Sequence, residues 1–287
     1  ALATTPALGA SLETATGPVE IDQIPETIAV FDIAALDTID ALGVPVAGVP
    51  NRVFLDSLQD VADKAEVVGT LFEPDLEALN ALGPDLVIVG GRSAAQAEQA
   101  ERVAPTVDMT FDATRTIEQA RERINEYGEL FGKEAAAEAL LADFDARMEK
   151  AKAAADGKGT ALIVMTNGPK ISVYGPGSRF GWLHTALGIE AVSEDLDADT
   201  HGDAVSFEFV AETDPEWLIV LDRAAAIGSG EQNARATLDN ELVHQTTAWK
   251  KDQGIYLPAA DFYIASGGAR ATARIFDTIA EGFSATE

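Results

Sequence analysis

The same order of elements occurs twice in this chain of 287 residues, once in each half. In the first half, the sequence predicts a helix at residues 74–82 and an apolar strand at residues 85–89, and Arg92 follows after two glycines. In the second half, it predicts a helix at residues 207–213 and an apolar strand at residues 217–221. Each helix ends next to a proline, and a continuous apolar run is typical of a strand that is buried on both faces of a parallel sheet. Helices that alternate with such strands predict an α/β lobe in each half.

A long helix-forming stretch lies between the two halves. Residues 116–155 are rich in Ala, Glu, Lys and Arg, which are strong helix formers, and they carry an apolar stripe. Gly128 and Gly132 within this stretch mark either a bend or a packing contact. We therefore predict an α/β fold with two Rossmann-like lobes joined by a single long helix, and a ligand cleft between the lobes. The predicted domains are an N-terminal lobe (residues 1–115), the linking helix (116–156) and a C-terminal lobe (157–287).

Two arginines stand where such a fold binds its ligand. Ligands of α/β proteins bind near the carboxyl ends of the strands. Arg92 and Arg223 follow the ends of predicted strands, so both are expected to point toward the predicted cleft. The arginines on or beside the linking helix are expected instead to be solvated charges. They are Arg115, Arg121, Arg123 and Arg147.

The charge balance restricts which partners the chain can bind. It has 20 Lys and Arg against 48 Asp and Glu, and its net charge is −28. Nucleic acid is disfavoured because phosphate contacts need cations, and any site for a small anion must be a local cluster of basic residues. The chain has no cysteine, which excludes thiol catalysis, disulfides and iron–sulfur clusters.

The first residues give an expectation about location. Residues 1–18 are small and polar, and they lack the basic start and apolar core of a signal peptide. They are typical of the flexible start of a mature exported protein whose signal has been removed, and a cytoplasmic protein with a flexible end is the alternative. No cysteine is present to carry a lipid anchor, which favours a free periplasmic protein. No stretch of 18 or more apolar residues occurs, so no membrane span is predicted.

A glycine-rich turn contains a third candidate arginine. The run Tyr-Gly-Pro-Gly-Ser-Arg-Phe-Gly at residues 174–181 follows a predicted strand and leads into a helix predicted at residues 180–187. Glycine allows close backbone approach to a ligand, and a helix N-terminus favours anions. The glycine spacing does not match the dinucleotide fingerprint. Arg179 is therefore either part of an anion site or a surface residue on a plain turn.

Two further residues have side chains that can bind iron. His201 lies in a polar loop next to Gly202, which suits an accessible metal ligand, although a solvated loop histidine is the alternative. Tyr263 lies between a predicted strand and the final helix, and its phenolate would be a hard oxygen donor. The alternative is a tyrosine of the core or rim. His184 and His244 lie on predicted helices and are interpreted as structural.

Several of these segments together resemble a known family. The sequence is similar to the periplasmic binding proteins for ferric catecholate siderophores, including the enterobactin-uptake and petrobactin-binding types, which are class III solute-binding proteins of ABC importers. The resemblance covers nearly the whole chain and is most specific at residues 170–268. The matching segments are residues 174–181, 200–202, 220–223, 238–240 and 263–267, with 90–92 and 104–106 in the first half.

The resemblance implies roles for the candidate residues. In that family, three arginines hold the negatively charged catecholates, and Arg92, Arg179 and Arg223 occupy the matching positions. A guanidinium pairs with oxygen anions through a planar fork of donors, which fits this role. A His and a Tyr can complete the iron shell when the siderophore supplies only two catechols. His201 and Tyr263 occupy those positions.

The resemblance also implies how the chain would meet its transporter. The class uses one surface glutamate in each lobe to dock onto the permease, and Glu77 and Glu208 match by their place in the repeated pattern. Ordinary surface charge is the alternative for any single glutamate in so acidic a chain.

These observations lead to one preferred function and two alternatives. We expect a monomeric periplasmic protein that binds a ferric catecholate siderophore and delivers it to an inner-membrane ABC permease, without a cofactor of its own. A haem- or cobalamin-binding protein of the same transporter class is the first alternative. An enzyme is the second, but the sequence shows no G-x-S-x-G elbow and no Ser–His pair at a useful spacing.

Overall fold

The computed structural model describes residues 9–193, 196 and 202–285. These residues form two compact units, and the second takes up most of the latter half of the chain. The first unit comprises residues 9–112, 118–143 and 267–270, and the second comprises the remaining described residues. The predicted α/β class is confirmed by the helices and parallel strands of both units. The division into 1–115, 116–156 and 157–287 stays a prediction.

The first unit begins with an antiparallel hairpin of strands β1 (Ala10–Thr14) and β2 (Gly17–Ile21). The expectation of a flexible start at residues 1–18 is therefore wrong for the described residues from Gly9 onward. The hairpin is held in place because Leu12 is fully buried and the Ala15 amide donates to the carbonyl of Asp108 at 2.8 Å. Small residues and threonines hid this alternation in the sequence.

A parallel sheet forms the centre of the first unit. Its strand order is β5-β4-β3-β6-β7, and each neighbouring pair is parallel. The sheet is apolar on both faces, as the continuous hydrophobic runs predicted, and its core includes Phe31, Leu79, Val87 and Val89. The strands are β3 (Ile28–Val30), β4 (Gly48–Val49), β5 (Glu66–Val67), β6 (Leu86–Val89) and β7 (Thr106–Asp108).

Short helices connect these strands. Asp32 caps α1 by accepting from the Ala35 amide at 2.7 Å, and Gly83 ends α3 in the left-handed region at φ 62°. The helices are α1 (Ile33–Ala41), α2 (Gln59–Ala62), α3 (Leu76–Leu82) and α4 (Ala97–Glu101), with 3₁₀ turns at Asp56–Leu58 and Gly91–Gln96.

The predicted single long helix is instead two helices, α5 (Thr116–Leu130) and α6 (Glu134–Ala155). Gly132 adopts φ 62°, the Lys133 amide donates to the Gly128 carbonyl, and the Gly132 amide donates to the Glu129 carbonyl. These two hydrogen bonds form a Schellman motif, which ends α5. A Cβ on Gly128 would lie 2.4 Å from the Cβ of Ala137, so glycine allows the two helices to approach closely.

A mixed sheet forms the centre of the second unit. Its order is β11-β9-β8-β12-β13, and β10 pairs with the start of β8. Strands β8, β12 and β13 are parallel, and β9 is antiparallel to both of its neighbours. The strands are β8 (Thr160–Asn167), β9 (Lys170–Tyr174), β10 (Glu190–Ala191), β11 (Asp203–Val205), β12 (Trp217–Asp222) and β13 (Gly254–Tyr256).

The helices of the latter half are mostly short. The helix predicted at residues 207–213 has those bounds, whereas the one predicted at 180–187 is reduced to four residues because a tight turn precedes it. In that turn the Ser178 amide donates to Gly175 and the Gly181 amide donates to Ser178. The helices are α7 (Trp182–Thr185), α8 (Phe207–Thr213), α9 (Arg223–Ile227), α10 (Ala234–Leu238), α11 (Thr247–Lys250), α12 (Ala259–Tyr263) and α13 (Ala269–Ser284), with a 3₁₀ turn at Val243–Gln245.

None of the helices formed by the described residues has the length and apolar character needed to span a bilayer.

Candidate ligand-binding site

Arg223 is fixed by hydrogen bonds on two sides at the end of β12. It is the first residue of α9, whose N-cap Asp222 accepts from the Ala225 amide at 2.9 Å. Its Nε donates to the phenol oxygen of Tyr263 at 2.9 Å, and its Nη1 donates to Oδ1 of Asn167, also at 2.9 Å. The guanidinium plane is therefore fixed by two partners that are far away in sequence, and its remaining N–H groups can serve a ligand.

Asn167 reaches Arg223 because of strand register. Strands β8 and β12 are parallel, and Thr166 is paired with Asp222. The next residue of each strand is Asn167 on β8 and Arg223 after β12, so both project from the same edge of the sheet. Asn167 was not among the site residues predicted from the sequence. Its position after an apolar run was the only signal in the sequence, and that signal does not pair it with Arg223.

Arg179 lies against the same tyrosine. Its Nη2 donates to the carbonyl oxygen of Tyr263 at 3.1 Å, and its guanidinium carbon lies 5.3 Å from the centroid of that ring and 4.5 Å from the ring of Phe180. The side chain is only half-exposed. The alternative of a surface arginine on a plain turn therefore does not describe its surroundings. The expected helix N-terminus is also absent as an anion site, since α7 has only four residues.

The glycines of this turn serve packing. A Cβ on Gly181 would lie 2.0 Å from the carbonyl oxygen of Pro176, and a Cβ on Gly175 would lie 2.7 Å from the Cβ of Leu196. The Ser178 hydroxyl closes the turn by donating to the Gly175 carbonyl at 2.7 Å. This tight packing is what directs Arg179 toward Tyr263.

Tyr263 was expected to lie between a strand and the final helix. It is the last residue of a short helix, α12, in that interval. Its hydroxyl accepts from Arg223, and the guanidinium carbon of Arg223 lies 5.6 Å from the ring centroid. Two arginines therefore flank one half-buried phenol. A phenol oxygen can accept a hydrogen bond, and as a phenolate it is an oxygen donor of the kind that binds a metal ion.

Arg92 belongs to the first unit, in the 3₁₀ turn that follows β6. The preceding Gly90 packs against Asp32, since a Cβ there would lie 2.7 Å from the Asp32 carboxylate oxygen. Burial raises the pKa of the Asp32 carboxyl above its ordinary value, and the Ala35 hydrogen bond and the charges of Arg123 and Arg92 offset this only partly. Arg92 thus stands close enough to interact with a desolvated carboxyl at the end of β3.

Arg123 is buried, with 4 % of its surface exposed, although the sequence suggested a solvated helix charge. Its guanidinium carbon lies 3.7 Å from the centroid of the Phe111 ring, and its Nη2 donates to the carbonyl of Thr110 at 3.1 Å. The Thr110 hydroxyl in turn accepts from the Gly91 amide at 2.8 Å. Arg123 therefore stabilises the loop after β7 that supports the turn containing Arg92.

The chain has three histidines, and two of them lie within the described residues. His201 lies outside the described residues, so its proposed role as an iron ligand stays a prediction. His184 is buried with Nδ1 2.8 Å from the Ile189 carbonyl, and His244 lies 2.8 Å from an Asp239 carboxylate oxygen. Both fit the structural interpretation. Among the described residues, no group of three or more His, Cys, Asp or Glu side chains could hold a metal ion.

Glu77 and Glu208 occupy equivalent places in the two units. Each is the second residue of a seven-residue helix, α3 or α8, and both are exposed. Each helix ends in a left-handed residue before a proline, Gly83 in one case and Asp214 in the other. A hydrogen bond from the Ser206 side chain lowers the pKa of Glu208, and its own backbone N–H has a smaller effect in the same direction.

Comparison with known proteins places the chain in a family. The family model described as periplasmic binding protein matches residues 28–260. The chain is 32% identical over 269 residues to the petrobactin-binding protein YclQ of Bacillus subtilis, covering 92% of this chain and 84% of YclQ. The crystal structure of YclQ superposes with a TM-score of 0.90 over 96% of this chain and 98% of that one.

Two further relatives have similar coverage. The ferric-anguibactin-binding protein FatB of Vibrio anguillarum is 30% identical over 277 residues, covering 93% of this chain and 85% of FatB. The periplasmic catecholate-siderophore binding protein VctP of Vibrio cholerae is 30% identical, with a TM-score of 0.88 over 94% of this chain and 99% of that one. The chain therefore belongs to the periplasmic binding protein family, which consists of solute-binding proteins and not of enzymes.

Proposed function

We propose that this chain binds a ferric siderophore of the catecholate type and delivers it to an ABC importer. The observation that carries the proposal is the convergence of Arg179 and Arg223 on Tyr263. In a chain with a net charge of −28, two half-buried arginines around one phenol form the local basic cluster that an anion site requires.

The chemistry of this cluster fits an iron catecholate. Such a complex carries several negative charges spread over its oxygen atoms, and guanidinium groups bind oxygen anions through charge-assisted hydrogen bonds. Arg223 is already oriented by Asn167 and Tyr263, so little side-chain entropy is lost when a ligand binds. YclQ, FatB and VctP are named for binding petrobactin, ferric anguibactin and a catecholate siderophore, which supports the same class of ligand here.

The iron shell is the finer part of the proposal. Tyr263 supplies a phenol oxygen, and His201 is proposed as a second protein ligand for a siderophore that offers only two catechols. Arg92 is proposed as a third cation for the ligand. Haem and cobalamin are not favoured, because these three relatives are all named for siderophores.

The proposal extends to location and delivery. Family membership supports a periplasmic site of action. We propose that the chain acts there as a monomer. Glu77 and Glu208 are proposed to dock onto basic positions of the permease, because both are exposed and stand at equivalent places in the two units.

The test is a titration with ferric azotochelin, a bis-catecholate, followed by its visible charge-transfer band and by tryptophan fluorescence. The wild-type chain should bind and shift the band, and His201→Ala and Tyr263→Phe should each alter the band if both residues bind iron. Binding with a band that neither change affects would leave the arginines but remove the two iron ligands. If azotochelin did not bind at all, the proposed function would be wrong.

A further inference from the structure

A rigid hairpin in the first unit presents an aromatic side chain to solvent. It lies between β5 and α3, and the Asp75 amide donates to the Val68 carbonyl at 2.8 Å. Gly69 and Pro74 form an antiparallel bridge, and the Thr70 amide donates to the Glu73 carbonyl at 2.8 Å. Phe72 lies at the tip of this hairpin.

The tip is fixed by side-chain as well as backbone bonds. The Thr70 hydroxyl accepts from the amides of Phe72 at 3.2 Å and Glu73 at 3.0 Å. Gly69 is required because a Cβ there would lie 2.4 Å from the Glu73 carbonyl oxygen. Leu71 is buried, with 6% of its surface exposed, and it anchors the tip to the unit. Phe72 is therefore held outward by a turn with little freedom to fold it back.

Phe72 has 57% of its surface exposed, the largest fraction among the exposed large hydrophobic residues of the described chain. Burying an apolar side chain of this size contributes about 1.5–3 kcal/mol of stabilising free energy. Most of that contribution is absent in the fold, because Phe72 stays exposed to solvent. Aromatic side chains of this kind are enriched where proteins meet partners.

Exposed acidic residues follow Phe72 in the sequence. The side chains of Glu73, Asp75 and Glu77 are exposed within the next five positions. No Lys or Arg occurs in the sequence between Lys64 and Arg92. Phe72 with these three carboxylates is called here the hairpin-tip patch. An exposed aromatic residue that is followed in the sequence by three exposed carboxylates is complementary to a partner that offers an apolar pocket with basic residues around it.

We infer that Phe72 is the apolar anchor by which the first unit docks onto the permease, with Glu77 as its charged neighbour. The inference rests on the proposed function, which supplies the permease as partner and Glu77 as a docking residue. It adds that Phe72, rather than rim charge alone, carries most of the docking affinity on this unit, because exposed ion pairs contribute little and buried aromatic anchors contribute much.

The test measures transport and ligand binding on the same variants. The gene for this chain is replaced in its own cells by versions with Phe72→Ser, Glu77→Gln or Ile24→Ser. Uptake of radioactive iron is then followed at limiting ferric azotochelin. Ile24 is the matched control, since it is an apolar residue of the first unit with 38% exposure and acidic neighbours in sequence. Each purified variant is also titrated with ferric azotochelin and melted.

Phe72→Ser should lower uptake at least about tenfold, with azotochelin affinity unchanged within about twofold. Glu77→Gln should have a smaller effect and Ile24→Ser none, while Phe72→Tyr should keep uptake. Wild-type uptake in the Phe72→Ser cells would overturn the inference and leave the proposed function standing, as would equal losses in Phe72→Ser and Ile24→Ser. If wild-type cells showed no uptake above a deletion and the protein bound no azotochelin, both the proposed function and the inference would be wrong.

Discussion

At the residue scale, Tyr263 links two arginines of the second unit, Arg179 and Arg223. Arg179 donates to the backbone carbonyl of Tyr263, and Arg223 donates to its hydroxyl. The backbone and the phenol oxygen of Tyr263 are therefore held by different arginines. A phenylalanine would keep the first interaction and lose the second.

We therefore predict that Tyr263→Phe weakens ferric azotochelin binding about tenfold or more and alters the charge-transfer band. The physical reason is the loss of the proposed iron ligand and of the Nε partner that orients Arg223. Tyr256→Phe is the matched control, because Tyr256 is also half-buried in the second unit with an arginine, Arg235, 4.0 Å from its ring centroid. Equal effects of the two substitutions would contradict the role of Tyr263.

Asn167 is a positioning residue for Arg223 by the same logic. Asn167→Ala removes the acceptor for Nη1, and a hydrogen bond to a charged group contributes about 1.5–3 kcal/mol. We expect an affinity loss of about tenfold, with the same melting temperature as Asn80→Ala, an exposed control on α3. Asn167→Asp should keep the guanidinium in place and weaken binding further, because it puts a negative charge beside the anion. Undiminished affinity in Asn167→Ala would show that Arg223 needs no such partner, and undiminished affinity in Asn167→Asp would contradict the argument from the negative charge of the ligand.

Asp32 gives a prediction about pH. Its pKa is raised in the folded chain chiefly by burial, so the folded state favours the protonated form. The stabilising contribution of this carboxyl is greatest below its ordinary pKa of 3.8 and is lost as the pH rises through the folded value. Asp32→Asn, which keeps an oxygen to accept from Ala35, should raise the free energy of unfolding at about pH 7.5, with a difference that shrinks toward about pH 4. Urea unfolding at both values measures this, and a less stable variant at the higher pH would contradict the assignment.

At the scale of elements, the sequence predicted best where a local pattern ends in a strong stop signal. Helix α8 has its predicted bounds, and β6 and β12 lie within one residue of theirs, because a proline and a continuous apolar run mark them. The hydrogen bond from Arg223 to Asn167 could not be predicted, since it depends on the register of two strands that lie 50 residues apart in the chain. The burial of Arg123 was also missed. It depends on a contact with Phe111, which lies before the helix and not on it.

The break between α5 and α6 was not predicted as the end of a helix, because strong helix formers flank it on both sides and the two glycines indicated only a bend or a packing contact. Gly132 has φ 62°, and a Cβ there would meet only Ile24 at 3.7 Å, so space does not restrict this position. Gly132→Ala should lower the free energy of unfolding by about 1–2 kcal/mol through backbone strain alone. Gly132→Asn should cost less, because asparagine tolerates the left-handed region. Urea unfolding compares the two, and an alanine variant as stable as wild type would contradict the Schellman motif as the stop.

At the scale of the whole molecule, the net charge of −28 opposes the approach of an anionic chelate. Salt screens this long-range repulsion, since the Debye length falls from about 30 Å at 0.01 M to about 8 Å at 0.15 M. We therefore expect the association rate of ferric azotochelin to rise with salt over this range in stopped-flow fluorescence. A rate that falls with salt would mean that the local arginine cluster dominates the field and steers the ligand.

The most direct test of the central claim is a comparison of two ferric chelates that differ in charge. Ferric azotochelin and the neutral hydroxamate chelate ferrichrome are titrated into the same protein at the same salt, with tryptophan fluorescence as the signal. The arginines should make the binding free energy of ferric azotochelin more favourable than that of ferrichrome by about 3 kcal/mol or more. This difference corresponds to an affinity ratio of about 100 or more. Equal affinity for the two chelates would contradict the account that Arg179 and Arg223 select the ligand by its negative charge.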